Sequence, residues 1–294
     1  MTKFVDLTPS LGTEILDLDL GQDLDDATIA TLQRLLALRG LLVFRDQSKL
    51  SPDRHVEVSR RFGGLEVHVQ KRYHHAAHPE ILIVSNVIEN GTPIGLADAG
   101  KYWHSDLSYL AEPSLGSLLH AQELPKDGSG DTIFTDMRAA YDALDDETKQ
   151  KLIGLTAEHS YVARNKAQAA VNPDRKIDAA TAATVPPVNH PVVRAHPVTG
   201  RAALFVSEGF TTRINELDDG ESRSLLDRLF AHSVEPRFHY RHKWRDHDLV
   251  FWDNRSTMHL ATGCPASERR TLYRTTVRGD RPIAYAASGR EAAA

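Results

Sequence analysis

LVFWDNRSTMH, residues 249–259, is the stretch on which the reading of the fold turns. Its apolar start, together with Asp248, reads as a strand that ends at the turn residues Asp253 and Asn254. His259 follows near that strand's end, where active-site loops gather. Working outward, LLVF at 41–44, ILIVSN at 81–86, LGSLLHAQEL at 115–124, ALFVS at 203–207 and TLYRTTV at 271–277 are also strand-like. They are scattered, with few strand–helix–strand alternations. That arrangement predicts a mixed α/β chain with a mainly β core, a β-sandwich or jelly roll with flanking helices.

Helical spacing is confined to a few segments. Ile29, Leu32, Leu35 and Leu36 predict a helix over 27–39, with Asp25 and Asp26 as capping candidates and Gly40 as the stop. Ser51-Pro52 reads as an N-cap and first-turn proline, and Gly63 as that helix's stop. Residues 137–144, 146–155 and 219–233 complete the helices, the last with Leu225, Leu226, Leu229 and Phe230 on one stripe. Residues 89–101 read as a loop. The stretch 163–187, rich in Ala, Asn and Pro, is longer than an ordinary connection and is expected to be a lid. The tail at 285–294 is expected to fray. No internal repeat or long linker divides the chain, so residues 1–294 read as one domain.

Composition narrows the function classes. Of 294 residues, 41% are hydrophobic and 26% charged, which is ordinary for a water-soluble globular chain. No apolar run is long enough to span a membrane, and the start lacks the apolar core of a secretion signal, so the expected compartment is the cytoplasm. A net charge of −5 gives no reason to expect nucleic acid as a partner. Cys264 is the only cysteine, which excludes an internal disulfide and a multi-cysteine zinc site. The 15 histidines are the unusual feature, because imidazole is the commonest transition-metal ligand.

His104 and Asp106 lie in WHSDLSY, residues 103–109. On a strand, positions i and i+2 share a face, so both side chains can grip one ion. With His259 they make two histidines and a carboxylate, a facial set that leaves three positions open on iron. Arg270 and Arg274 follow closely, and an arginine beside such a site can hold a carboxylate with two hydrogen bonds. A chelating 2-oxo acid would fill two of the open positions and rest its far carboxylate on that arginine. O2 would take the third. The same ligand set also suits a catalytic zinc hydrolase, although that reading leaves Arg270 idle and supplies no general base.

Longer strings carry a resemblance. HPVVRAHPVTGRAALFVSEGFTTRI (190–214), GDTIFTDMRAAYDAL (130–144), LVFWDNRSTMH and RRTLYRTTVRGDRP (269–282) resemble the taurine dioxygenase family, which includes the 2,4-dichlorophenoxyacetate dioxygenases. The likeness spans roughly residues 5–283. It implies a double-stranded β-helix (jelly roll) and Fe(II) held by His104, Asp106 and His259. It places Thr132 and Arg270 on the distal carboxylate of 2-oxoglutarate. It further implies homo-oligomers, often dimers or tetramers. The reaction it implies consumes 2-oxoglutarate and O2, releases succinate and CO2, and hydroxylates a substrate C–H. Related halogenases lack the carboxylate ligand, so Asp106 points to hydroxylation.

The same resemblance places His68 and Arg274 on a small anionic substrate and Phe210 on its apolar wall. Elsewhere the pocket departs. Lys71 stands where the family has tyrosine, Gly100 where it has asparagine, and Arg164 and Asn165 where serine and phenylalanine are usual. Lys71 and Arg164 add cations, which favours a bulkier or more anionic molecule than taurine, within the alkyl sulfonate and aryloxyalkanoate classes. YHHAAHPEI (73–81) also resembles a branch that forms isonitriles from N-carboxymethyl amino acids, in which Tyr73 and Lys166 would serve the substrate.

Overall fold

The computed structural model describes residues 2–97, 100–169 and 177–286. One layer is an eight-stranded sheet. Its order is Lys3–Asp6, Thr13–Leu16, Leu41–Phe44, Leu249–Asp253, Gly116–Glu123 and Thr271–Val277, and the last of these also pairs with Leu65–Glu66 and Leu82–Ser85. Only Thr13–Leu16 and Leu41–Phe44 run parallel. Strands from both ends of the chain therefore meet in one sheet.

The central strands are apolar on both faces because both faces are covered. Leu42, Phe44, Leu118, Leu249 and Phe251 pack against Ile29, Leu32, Leu36 and Val58 of the helices Asp26–Arg39 and Pro52–Arg60. The alternate residues Leu41, Val43, Leu119, Ala121, Val250, Trp252 and Leu272 turn the other way and meet Phe134. Phe134 belongs to a second sheet, His239–His242, Thr132–Asp136 and Thr257–Ala261. A single antiparallel bridge adds His104 to its edge, opposite His259. The outcome is mixed α/β with mainly sheet. Among the described residues no helix is long and apolar enough to cross a membrane.

The cap residues do what their sequence implies. Asp25 accepts the Thr28 N–H at 2.7 Å, and Gly40 closes the helix in the left-handed region at φ 70°. Ser51 accepts the Arg54 N–H ahead of Pro52. Three expectations need correction. Most of the described part of 163–187 is helical: Tyr161–Ala169 starts on Ser160, whose hydroxyl accepts the Ala163 N–H, and Ala179–Thr184 is capped by Asp178. Alanine's helix propensity outweighs the loop-like composition there. Residues 170–176 of the expected lid lie outside the described residues, as do 98–99 of the expected loop at 89–101, which opens with the two-stranded pair Ile88–Glu89 and Thr92–Pro93. The tail does not begin to fray at 285, since the Tyr285 N–H bonds the Val193 carbonyl and its ring packs on the core; the rest of that tail, 287–294, is outside the described residues. The ALFVS strand is shorter than expected, Ala202–Leu204.

One buried ion pair ties the two layers to the first helix. Arg138 is 0% exposed and bonds Asp136 as well as the Ala37 and Leu38 carbonyls. Replacing it strands a buried carboxylate. Arg138→Met is expected to cost about 3–5 kcal/mol in urea denaturation. A loss under about 1 kcal/mol, the size of an exposed pair, would contradict this role.

Candidate active site

The bridge at the edge of the second sheet sets the site. The His104 N–H bonds the His259 carbonyl at 3.2 Å, and the His259 N–H bonds the His104 carbonyl at 2.9 Å. Residues paired this way carry neighbouring side chains, and the two imidazoles stand 4.2 Å apart between centroids. Nδ1 of His104 faces the Tyr102 carbonyl at 2.9 Å. A proton on Nδ1 satisfies that carbonyl and leaves the Nε2 lone pair free for a metal. Burial pushes the His259 pKa down to about 3, so this ring is neutral, and its buried Nδ1 has no hydrogen-bond partner. Gly100 makes room for His104: it sits at φ 79°, and a Cβ there would lie 2.7 Å from the His104 ring.

Asp106 completes the set. Ligand atoms of His104, Asp106 and His259 all lie within 4.8 Å of one another, and all three residues are buried. Burial alone would raise the Asp106 pKa. The Arg274 guanidinium, 3.1 Å away, outweighs it and holds the carboxyl well below its usual range. Its backbone is pinned twice, by the Asn254 side-chain carbonyl at 3.1 Å and by the Ser114 hydroxyl, also at 3.1 Å. Leu107, next in the chain, is held at φ 57°, a conformation that costs a non-glycine residue roughly 1–2 kcal/mol. Two imidazoles and an ionised carboxylate, buried together, fit a divalent transition metal such as Fe(II).

Arg270 lines a small cavity together with Ala261, the last residue of the strand that carries His259. It is 9% exposed, and burial pushes its pKa down to about 10. Among the described residues no carboxylate pairs with its guanidinium, and its Nε has no partner. A buried cation left without an anion is costly unless a ligand supplies one. Gly130, at φ 88°, lets the guanidinium approach: a Cβ there would lie 2.9 Å from Nε. Thr132 sits opposite Ala261, two residues along from His259, a separation of roughly 7 Å on a strand. The Trp244 Nε1–H donates to the Thr132 oxygen at 3.1 Å, so the threonine's own proton is free to be donated elsewhere.

A cavity of about 80 Å³ borders the His–Asp–His set and is lined by His68, Tyr102, Leu107, Tyr109, Phe210 and Arg274. It shares His68, Leu107, Tyr109, Tyr161 and Arg274 with a larger cavity of about 670 Å³. The Arg274 guanidinium lies 3.1 Å from Asp106. Nδ1 of His68 accepts the Gln70 N–H at 3.1 Å, so its ring proton sits on Nε2. Burial, with Arg274 close by, lowers the His68 pKa to about 4, which makes it a neutral donor. Lys71 lines the larger cavity. Arg164, expected to bind substrate, lines neither; its guanidinium stacks on the Tyr102 ring at 3.7 Å. Tyr73, one of the two residues of the isonitrile reading, is buried in the core; Lys166, the other, is exposed, and neither lines either cavity.

Sequence reasoning missed Ser117, which bonds Asp106, along with Trp244 and the ring wall of Tyr102, Tyr109 and Tyr161. Only a polar residue on the inner face of an otherwise apolar strand could have pointed to Ser117. Trp103 packs beside the core and against His239. The histidines at 74, 75 and 78 stay outside the site, with His78 paired to Asp53.

Comparison with known proteins agrees with this geometry. The profile of the taurine catabolism dioxygenase TauD, TfdA family matches residues 3–276. The alpha-ketoglutarate-dependent 2,4-dichlorophenoxyacetate dioxygenase of Cupriavidus pinatubonensis is 35% identical over 285 residues, covering 93% of this chain and 96% of that one. The alpha-ketoglutarate-dependent sulfonate dioxygenase of Saccharomyces cerevisiae is 34% identical, covering 96% of this chain and 68% of that one. The crystal structure of AAD-2 in complex with Mn(II) and N-oxalylglycine superposes with a TM-score of 0.81 at 31% identity, covering 96% of this chain and 99% of that one. The chain belongs to the TauD, TfdA family and is an Fe(II)- and 2-oxoglutarate-dependent dioxygenase with O2 as co-substrate.

Proposed function

We propose that the enzyme hydroxylates a C–H bond of a small anionic organic molecule, an alkyl sulfonate or aryloxyalkanoate, while 2-oxoglutarate and O2 become succinate and CO2. The observation that carries the site assignment is the buried Arg270 guanidinium, without a carboxylate partner among the described residues, beside the strand of His259. His104, Asp106 and His259 hold the iron. Iron, when bound, supplies the redox chemistry with O2.

The chain's own groups bind and orient. Arg270 takes the distal carboxylate of 2-oxoglutarate, and Thr132, its oxygen already satisfied by Trp244, donates its proton to the same group. Arg274 and the His68 Nε2–H take the anion of the substrate. Because Arg274 also touches Asp106, that anion lies close to the metal, and the carbon oxidised is one near the charged end. Phe210, Tyr109 and Leu107 form the apolar wall. The cavity of about 670 Å³ receives the body of the molecule. That volume suits a drug-sized ligand, not a two-carbon sulfonate. It favours aryloxyalkanoates and longer alkyl sulfonates over taurine, with Lys71 available to a second polar group. Helices Tyr161–Ala169 and Ala179–Thr184 wall this cavity and serve as the lid that excludes water. A zinc hydrolase would leave Arg270 and Thr132 without work. We extend the proposal to the architecture, reading the two facing sheets as a double-stranded β-helix, and to a homo-oligomeric state.

Succinate production with Fe(II) and O2, measured across alkyl sulfonates and aryloxyalkanoates of increasing size, is expected to rise several-fold with a bulky anion and little with taurine. His104→Ala is expected to abolish it. Equal stimulation by taurine would overturn the size argument, and succinate undiminished in His104→Ala would overturn the site.

Binding of 2-oxoglutarate to the Mn(II)-loaded protein separates the roles further. Arg270→Ala is expected to weaken it at least about 30-fold, as for a buried charge pair, and Thr132→Val about tenfold. Arg274→Ala is expected to leave it within about threefold, a change of less than 1 kcal/mol, while substrate stimulation is lost. Arg270→Ala binding as tightly as the parent would contradict the assignment.

A further inference from the structure

Ser117 is a serine on the inner, apolar face of the large sheet. It is 0% exposed, in the strand Gly116–Glu123, and its companions on that face, Leu119 and Ala121, are core residues. Its hydroxyl donates to Asp106 Oδ2 at 2.8 Å. Thr276, opposite it on the neighbouring strand, lies 3.3 Å from the same hydroxyl. Ser117 has one proton and the carboxylate claims it. Thr276 must therefore donate to Ser117, which makes a short directed chain from Thr276 to Ser117 to Asp106.

The two oxygens of Asp106 are differently placed. Oδ1 faces His104 Nε2 at 3.7 Å and Arg274 at 3.1 Å, on the metal side. Oδ2 belongs to Ser117. The backbone of Asp106 is fixed independently, through Asn254 and Ser114, so only the rotation of the carboxylate depends on the serine. We infer that Ser117 is a positioning residue that reserves Oδ2 and so makes Asp106 a one-oxygen ligand of the metal.

This rests on the proposed metal site, and its consequence is a matter of ligand count. Two imidazoles and one carboxylate oxygen leave about three positions on a six-coordinate ion. A chelating 2-oxoglutarate fills two, and one remains for water or O2. A carboxylate free to turn and bind through both oxygens would close that last position. Coordination number, and not metal affinity, is the quantity Ser117 controls.

The test counts exchangeable water on bound Mn(II) by water-proton relaxation, in the presence of saturating 2-oxoglutarate, with bound Mn(II) quantified by its electron paramagnetic resonance signal. The parent is expected to show one rapidly exchanging water. Ser117→Ala is expected to bind Mn(II) and 2-oxoglutarate but to lose most of the bound-water contribution. Ser117→Thr, which keeps the hydroxyl, is expected to restore it. Thr276→Val, which spares the Ser117–Asp106 bond, is expected to match the parent. Ser117→Cys, a weak donor of similar size, is expected to fall between and stands in if the alanine variant does not fold. Parent-like relaxation in both the alanine and cysteine variants would overturn the role of Ser117 while leaving the metal site intact. A parent protein that binds no Mn(II) would overturn both.

Discussion

The His104 N–H meets the His259 carbonyl at 3.2 Å, the His259 N–H returns to the His104 carbonyl at 2.9 Å, and nearly everything else at the site follows from that pair. It fastens the loop that carries His104 and Asp106 to the edge of the small sheet, more than 150 residues away along the chain. It places two imidazoles side by side. The separate pairing of Thr257–Ala261 with Thr132–Asp136 sets Thr132 opposite Ala261, two residues along the strand from His259. The large sheet contributes from the opposite side: its inner face is apolar until Ser117, Arg274 and Thr276, and those are the residues that turn toward Asp106.

The cations stand in different settings. Arg270 is buried and without an ion-pair partner among the described residues, Arg274 is shared with Asp106, and Lys71 stands on the outer cavity. The neutral His68 adds a directional proton without a further charge. The departures from the family pattern have local consequences. Lys71 puts a cation on the wall of the larger cavity. Gly100 is required by the closeness of the His104 ring. Arg164 stacks on Tyr102, which leans on His104 with 4.8 Å between ring centroids.

Much of the large sheet was legible from the sequence, because LLVF and LVFW are apolar on both faces, TLYRTTV is rich in β-branched and aromatic residues, and the helices beside them carry explicit caps. The small sheet was not. HYRH, TIFTD and TMHLA, at 239–242, 132–136 and 257–261, are short and polar, and their inward positions are occupied by functional groups such as Thr132 and His259 where a pattern search expects core residues. The helix at Tyr161–Ala169 was hidden by a stretch that looks like a loop, although Ser160 offered a cap. The His–Asp–His set and Arg270 were visible as types and spacings, but their convergence depends on a bridge between residues far apart in sequence. Ser117 and Trp244 were invisible for the same reason: each acts on a group that only the fold brings near.

If His104, Asp106, His259 and Arg270 form one site, the metal and 2-oxoglutarate bind together. Calorimetric titration of 2-oxoglutarate into metal-free and Mn(II)-loaded protein is then expected to show tight binding only with metal present, lost on His259→Ala while the melting temperature of the metal-free protein holds. Equal affinity with and without metal would show that the dicarboxylate and the His–Asp–His set bind independently, and that no such joint site exists.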